Sequence, residues 1–189
     1  ALAFKDPEKA FELVLSPLRL MTKNGLVPTQ VRIGAIVPEA TAPMWGYVLL
    51  RLNDWSAVPG EKLEECDKLL RRAVGWWETN RRTSKGEFFY AYAHESGWEH
   101  CALIPEAVPA ISPDLAGWMA MNYMALQKLA ETLGKSDAAE MREKAEAQIH
   151  ILRGLWNGEN YVCRGVAGEH VVPCSAALGL LTGLLGENL

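Results

Sequence analysis

The sequence predicts an all-α domain of helical hairpins arranged in two concentric layers, and three observations carry that prediction. Helix start and stop signals recur along most of the chain. Segments with helical spacing alternate between two kinds, some apolar almost all round and others with one apolar stripe and one charged face. No fixed period of self-similarity links them, which separates the pattern from ankyrin-type or tetratricopeptide-type arrays. A helix apolar on most sides touches protein on most sides, whereas an amphipathic one keeps a wet face. An inner and an outer layer of helices, as in an α/α toroid, accounts for the alternation. The 189 residues, 49% of them apolar and 22% charged, suit one domain or one piece of a larger one.

Each element follows from local signals. Asp6-Pro7 supplies an N-cap and a proline at the first helical position, and Ala10, Leu13, Val14, Leu18 and Met21 recur at helical spacing. Pro17 is expected to kink or divide this helix, and Asn24-Gly25 to end it. Residues 27–38 read as a loop. A second helix is expected over about 42–52, with Met44, Trp45, Tyr47, Val48, Leu49 and Leu50 and few charges. A third, about 60–83, is amphipathic, its stripe formed by Leu63, Leu70, Val74 and Trp77. Residues 88–94 suit an extended segment, and 94–113, with Gly97, Pro105, Pro109 and Pro113, an irregular connection of the kind that often carries function.

The fourth helix begins at Pro113-Asp114 and runs to about Leu133, closed by Gly134, with a mostly apolar interior. Ser136 is expected to cap a fifth, about 137–156, with a narrow stripe of Met141, Ala145, Ile149 and Leu152. A loop containing Gly and Val follows, then a last helix from about Ser175.

Net charge is −4, and Lys and Arg are scattered, whereas a nucleic-acid binder concentrates positive charge on one face. The densest groups, Arg71-Arg72 and Arg81-Arg82, are read as a solvated helix face. Cys66, Cys101, Cys163 and Cys174 form no C-x-x-C pair, which argues against zinc, and Cys66 is expected as a buried free thiol. No apolar run reaches the roughly 18–20 residues of a membrane span. Unpatterned cysteines and the lack of a visible secretion signal give a cytoplasmic expectation. Neither a nucleic-acid nor a membrane partner is expected.

The run His94-Glu95-Ser96-Gly97-Trp98-Glu99-His100-Cys101 concentrates chemistry in the irregular connection. Glycosidic cleavage needs one carboxylic acid to protonate the leaving oxygen and a second carboxylate to activate water or attack the anomeric carbon. Sugar rings stack their C–H faces on an indole, so Trp98 beside an acid is chemically apt. The bland alternative is a polar loop anchored to the core by its tryptophan. His94 and His100 lack a third ligand at metal-binding spacing.

Glu95-Ser96-Gly97-Trp98-Glu99 resembles the E-S-G-W-D motif of glycoside hydrolase family 63 and related trehalase-like enzymes. Other segments follow that family's pattern in order: Asn24-Gly25-Leu26-Val27-Pro28, Thr41-Ala42-Pro43-Met44-Trp45, Pro113-Asp114-Leu115, Leu129-Ala130 through Leu133-Gly134-Lys135, and Leu155-Trp156-Asn157 to Tyr161. The resemblance spans nearly the whole chain, 1–189, as a single partial domain.

That resemblance implies a six-hairpin (α/α)6 toroid, of which this chain supplies about half. It implies an inverting hydrolase of α-linked glucosides or mannosides, small or oligomeric, that requires no metal or organic cofactor. Glu99 takes the position of the general acid, and Trp98 shapes the subsite of the cleaved sugar. Glu95, Trp45 and Asp114 are candidates for lining or supporting the pocket, although Asp114 reads equally as a helix-start residue, Trp45 as core and Glu95 as a loop hydrogen-bonder.

Two departures stand out. Glu99 is one methylene longer than the family's aspartate, and His100-Cys101-Ala102-Leu103 replaces its Asn-Ser-Pro-Arg. The family's general base is expected beyond Leu189, so half a toroid would leave inner helices uncovered and favour self-association or a missing remainder. The alternative function is a non-catalytic sugar-binding protein or a helical interaction scaffold on the same architecture.

Overall fold

The computed structural model describes residues 6–32, 35–37, 39–52, 55, 58–97, 108–165 and 168–171. They form helices α1 (Pro7–Arg19), α2 (Trp45–Leu50), α3 (Gly60–Asn80), α4 (Pro113–Leu133) and α5 (Ala138–Arg153). Short strands fall between them: β1 (Gln30–Arg32), β2 (Ala35–Val37), β3 (Ala110–Ile111), β4 (Val162–Gly165) and β5 (Gly168–Val171). The described chain is thus mostly helical, as the periodicity predicts. The expected last helix from Ser175 lies outside the described residues.

Helix α4 is the centre of the assembly and packs against α2, α3 and α5. Its buried positions run almost all round, from Leu115, Ala116 and Met119 through Met121, Tyr123 and Ala125 to Leu129. Helices α3 and α5 flank it with one wet face each. On α3, Leu63, Cys66, Leu70, Val74 and Trp77 are buried in one stripe while the other side carries its charges. The α5 stripe differs from expectation in one place: Gln148, not Ile149, is buried between Ala145 and Leu152. Its amide is spent inward, because Nε2 donates to the Gly86 carbonyl at 3.1 Å.

Other boundaries are also corrected. Helix α1 runs through Pro17 but stops two residues later, so the proline falls in the last turn and divides nothing. Asp6 caps α1 by accepting from the Lys9 N–H at 3.1 Å. The predicted loop 27–38 contains the β1–β2 hairpin, with Val31 opposite Ile36. Asp137, not Ser136, is the N-cap of α5, which ends at Arg153, before Trp156. The segment after α5 is not a plain loop: β3, β4 and β5 form an antiparallel sheet in that order, with Ile111 opposite Arg164 and Cys163 opposite His170.

The largest correction concerns α2, which has six residues and is not buried on most sides. Met44 just ahead of it and Val48 within it are 46% and 40% exposed. Together with Leu13 of α1, 64% exposed, they rim an apolar groove floored by Val14, Pro17, Ala42 and Trp45. The paired arginines are not simply solvated either. Arg71 bonds Asp67 and Asp137, and Arg81 reaches into the loop described next. No described helix is long and apolar enough to cross a membrane.

Candidate active site

The connection from α3 to α4 carries the candidate site, and three local devices shape its described part. Residues 88–90 are extended, and Tyr90 exchanges both backbone hydrogen bonds with Ala110, each at 2.9 Å. This bridge ties the start of the connection to its end. Between Ala93 and Ser96 the chain makes one turn of 3-10 helix, which Gly97 closes at φ 74°. That left-handed conformation is open to glycine and strained for most other residues. Beyond Gly97, Trp98 and Glu99 lie outside the described residues, as do His100 and Cys101.

Glu95 sits at the heart of this turn and is 1% exposed. A buried carboxylate needs a partner charge and hydrogen bonds, and Glu95 has both. Arg81, at the C-terminal end of α3, donates from Nη2 at 2.7 Å and Nε at 3.1 Å to Oε1. The Ala91 N–H donates to Oε2 at 2.7 Å. The other face of the guanidinium lies over Trp76, 5.0 Å from the ring centre. The carboxylate therefore staples the turn to the end of α3.

Asp114 sits in the first turn of α4, where a negative charge meets the exposed N–H groups and the positive end of the helix dipole. It is buried and accepts from the Tyr90 hydroxyl at 2.9 Å and from the Ser112 hydroxyl. The Cys163 thiol of β4 donates to Ser112 in turn, at 3.3 Å. Complete burial, then the neighbouring Asp114 carboxylate, holds the Tyr90 phenol well above its ordinary pKa, so it stays a donor. Tyr90, Ser112 and Cys163 thus bind the extended segment, the helix start and the sheet to one carboxylate.

Strand alternation gives the opposite faces of these segments a different fate. Phe89, Ile111 and Arg164 line an open, mainly apolar pocket with Thr83 and Pro109, on the other side from Tyr90, Ser112 and Cys163. It includes neither Glu95 nor Asp114.

Trp45, the first residue of α2, is buried in the floor of the α1–α2 groove. Its helix is set against α4 by Asn122, a residue that periodicity alone gives no reason to single out. The fully buried Asn122 amide accepts from the Gly46 N–H at 2.8 Å and donates to the carbonyls of Pro43 at 2.7 Å and Trp118 at 3.0 Å. Gly46 permits this approach, since a Cβ there would stand 2.4 Å from the Met121 carbonyl oxygen and the Asn122 nitrogen.

One further group meets at this turn without a signal in the sequence. The Tyr92 and His94 rings stack, 5.5 Å between centres and 6° between planes. Glu39, from the segment before α2, approaches His94 Nε2 to 3.7 Å. Tyr92 is 58% exposed. Of the expected site residues, the structure thus brings Glu95 and Asp114 to opposite ends of one connection and sets Trp45 on a neighbouring helix.

No family model matches the chain, and no curated protein matches it in sequence. Solved structures match it in fold. An uncharacterized conserved protein from Thermus thermophilus superimposes with a TM-score of 0.63 at 18% identity, over 88% of this chain and 58% of that one. The GH63 mannosylglycerate hydrolase from Thermus thermophilus, in complex with Tris, does so with a TM-score of 0.66 at 16% identity, over 88% and 59%. The same hydrolase in complex with glucose matches with a TM-score of 0.61 at 17% identity, over 88% and 57%. The chain therefore spans less than two thirds of the length of each of these proteins. At such identities the likeness is one of fold, and the fold it shows is that of a GH63 glycoside hydrolase.

Proposed function

We propose that this chain belongs to an inverting glycoside hydrolase acting on an α-linked glucoside or mannoside. The observation that carries the reading is the agreement of two likenesses, one of motif and one of fold. The ordered motifs around Glu95-Ser96-Gly97-Trp98-Glu99 point to one glycosidase family, and the fold matches a solved enzyme of that family. The mannosylglycerate hydrolase structures hold glucose, Tris and D-glycerate, all small hydroxyl-bearing molecules.

In this reading Glu99 is the general acid and protonates the glycosidic oxygen as the bond to the anomeric carbon breaks. A second carboxylate, contributed from outside these residues, takes a proton from the water that attacks the opposite face of the sugar. The two carboxyl groups of an inverting enzyme stand roughly 6.5–9.5 Å apart to leave room for that water. Trp98 packs against the sugar ring. Glu95 and Asp114 act as supports, because their oxygens already hold Arg81, Tyr90, Ser112 and the main chain. Trp45 supports the wall formed by α2. The chemistry calls for no cofactor.

The test is Glu99→Gln in the intact protein, assayed on a panel of α-glucosides and α-mannosides. Loss of the general acid lowers turnover by on the order of 100- to 10,000-fold. Unchanged hydrolysis sinks the assignment, and sugar binding with no turnover in the wild-type protein favours a non-catalytic sugar-binding role instead.

A further inference from the structure

Tyr92 has a combination of properties that packing does not explain. More than half of its surface is open, yet its ring is held in one orientation by the parallel stack on His94. A tyrosine placed only for stability would bury its ring, and one placed for solubility alone would gain nothing from a fixed orientation. An exposed, pre-oriented aromatic ring is a platform for a flat, partly apolar ligand, and binding there costs little side-chain entropy.

A second segment adds polar chemistry to this platform. Glu39 is exposed and carries its carboxylate to 3.7 Å from His94 Nε2. Its backbone is held in place, since the Glu39 carbonyl accepts from the Thr29 N–H at 2.9 Å and from the Thr29 hydroxyl at 2.7 Å. Among the described residues, His94 Nε2 has no hydrogen-bond partner although the atom is buried. The Tyr92 ring and the Glu39 carboxylate, from two segments, thus both meet the His94 imidazole, the first on its face and the second at its Nε2 edge. Pyranoses are recognised by that set, with C–H groups on the ring face and hydroxyls on the charged acceptor.

We propose that Tyr92, stacked on His94, and Glu39, 3.7 Å from the same imidazole, form a pyranose-binding subsite that sets substrate affinity beside the turn that holds Glu95. This rests on the glycosidase reading above and adds to it a specificity-determining contact that the Trp98-Glu99 motif does not contain. Tyr92 and Glu39 hold the sugar and take no part in proton transfer.

The test compares Tyr92→Ala, Tyr92→Phe and Glu39→Gln with the wild-type protein, by calorimetric titration with glucose and by hydrolysis of α-glucosides. Both positions are on the surface, and unchanged circular dichroism verifies folding. Tyr92→Ala and Glu39→Gln should each weaken glucose binding and raise KM about tenfold with kcat little changed. Tyr92→Phe keeps the ring face and should recover most of the affinity that Tyr92→Ala loses. Wild-type affinity and KM in Tyr92→Ala overturn the subsite while leaving the glycosidase reading in place. A wild-type protein that neither binds nor cleaves any of these sugars overturns both.

Discussion

Glu95 lies in a loop that the sequence marks out for chemistry, yet its carboxylate is committed to the protein. Arg81, fourteen positions earlier, occupies one oxygen with two donors, and main-chain N–H groups take the other. Removing one member of a buried ion pair strands the other, at a typical cost of about 3–5 kcal/mol. Arg81 keeps partial contact with solvent and with Trp76, so Glu95→Ala should cost about 3 kcal/mol, read as a lower urea midpoint. A double-mutant cycle with Arg81→Ala checks the cause, since additive losses would mean that the two side chains are uncoupled. The motif made Glu95 visible, but its partner was not, because periodicity records which face a charge occupies and not which opposite charge closes on it. Asp114 repeats the lesson. Its place at the start of α4 was legible from Pro113-Asp114, whereas Tyr90 reaches it, and Cys163 reaches the neighbouring Ser112, only through the fold.

At the scale of elements, α3, α4 and α5 were legible because each carries many turns of pattern and at least one clear end signal. Their boundaries moved by a few residues, as helix ends do. The β1–β2 hairpin was not legible, and of α2 the place was legible but not its shortness or its exposed side. Strands of three residues contain too little alternation to register. Helix α2 owes its start to Asn122, which lies 76 positions away and supplies the acceptor that its own sequence lacks. The contact that sets α2 on α4 leaves no room for a side chain at position 46. A Cβ at position 46 meets backbone atoms at 2.4 Å, and no rotamer change relieves a clash with a main chain. Gly46→Ala should therefore destabilise the protein by about 3 kcal/mol, the upper end of overpacking costs. Chemical denaturation checks this, and a loss below about 1 kcal/mol would show that the helices can separate freely.

Across the whole molecule, charge fastens the outer elements. Arg19 bonds Glu12 and Glu65, while Lys62 bonds Glu8 and Glu12, so α1 is clasped to α3. Hydrogen bonds from Arg19 and then Lys62 draw the Glu12 carboxyl down to about 2. On the other side of α3, burial raises the Asp67 pKa, but hydrogen bonds from Arg71 and Lys135 outweigh it and leave a net lowering. Unfolded carboxylates titrate near about 4. A group with a depressed folded pKa contributes fully above that value and loses its contribution as pH falls through the folded one. Thermal stability should thus fall between about pH 4.5 and pH 2, and Glu12→Gln should shrink that fall. Salt should also shrink it, because the clasp is exposed to solvent. A melting temperature flat across this range would show that the clasp carries no stability. The contact between α2 and α4 is of another kind, closely approached backbone bridged by the buried Asn122 amide, with Gly46 as its condition. Such a contact involves no ionised group, so the pH and salt that loosen the clasp do not act on it directly. The spacing of these two helices is thus a property of two positions, 46 and 122, rather than of the groove surface around them.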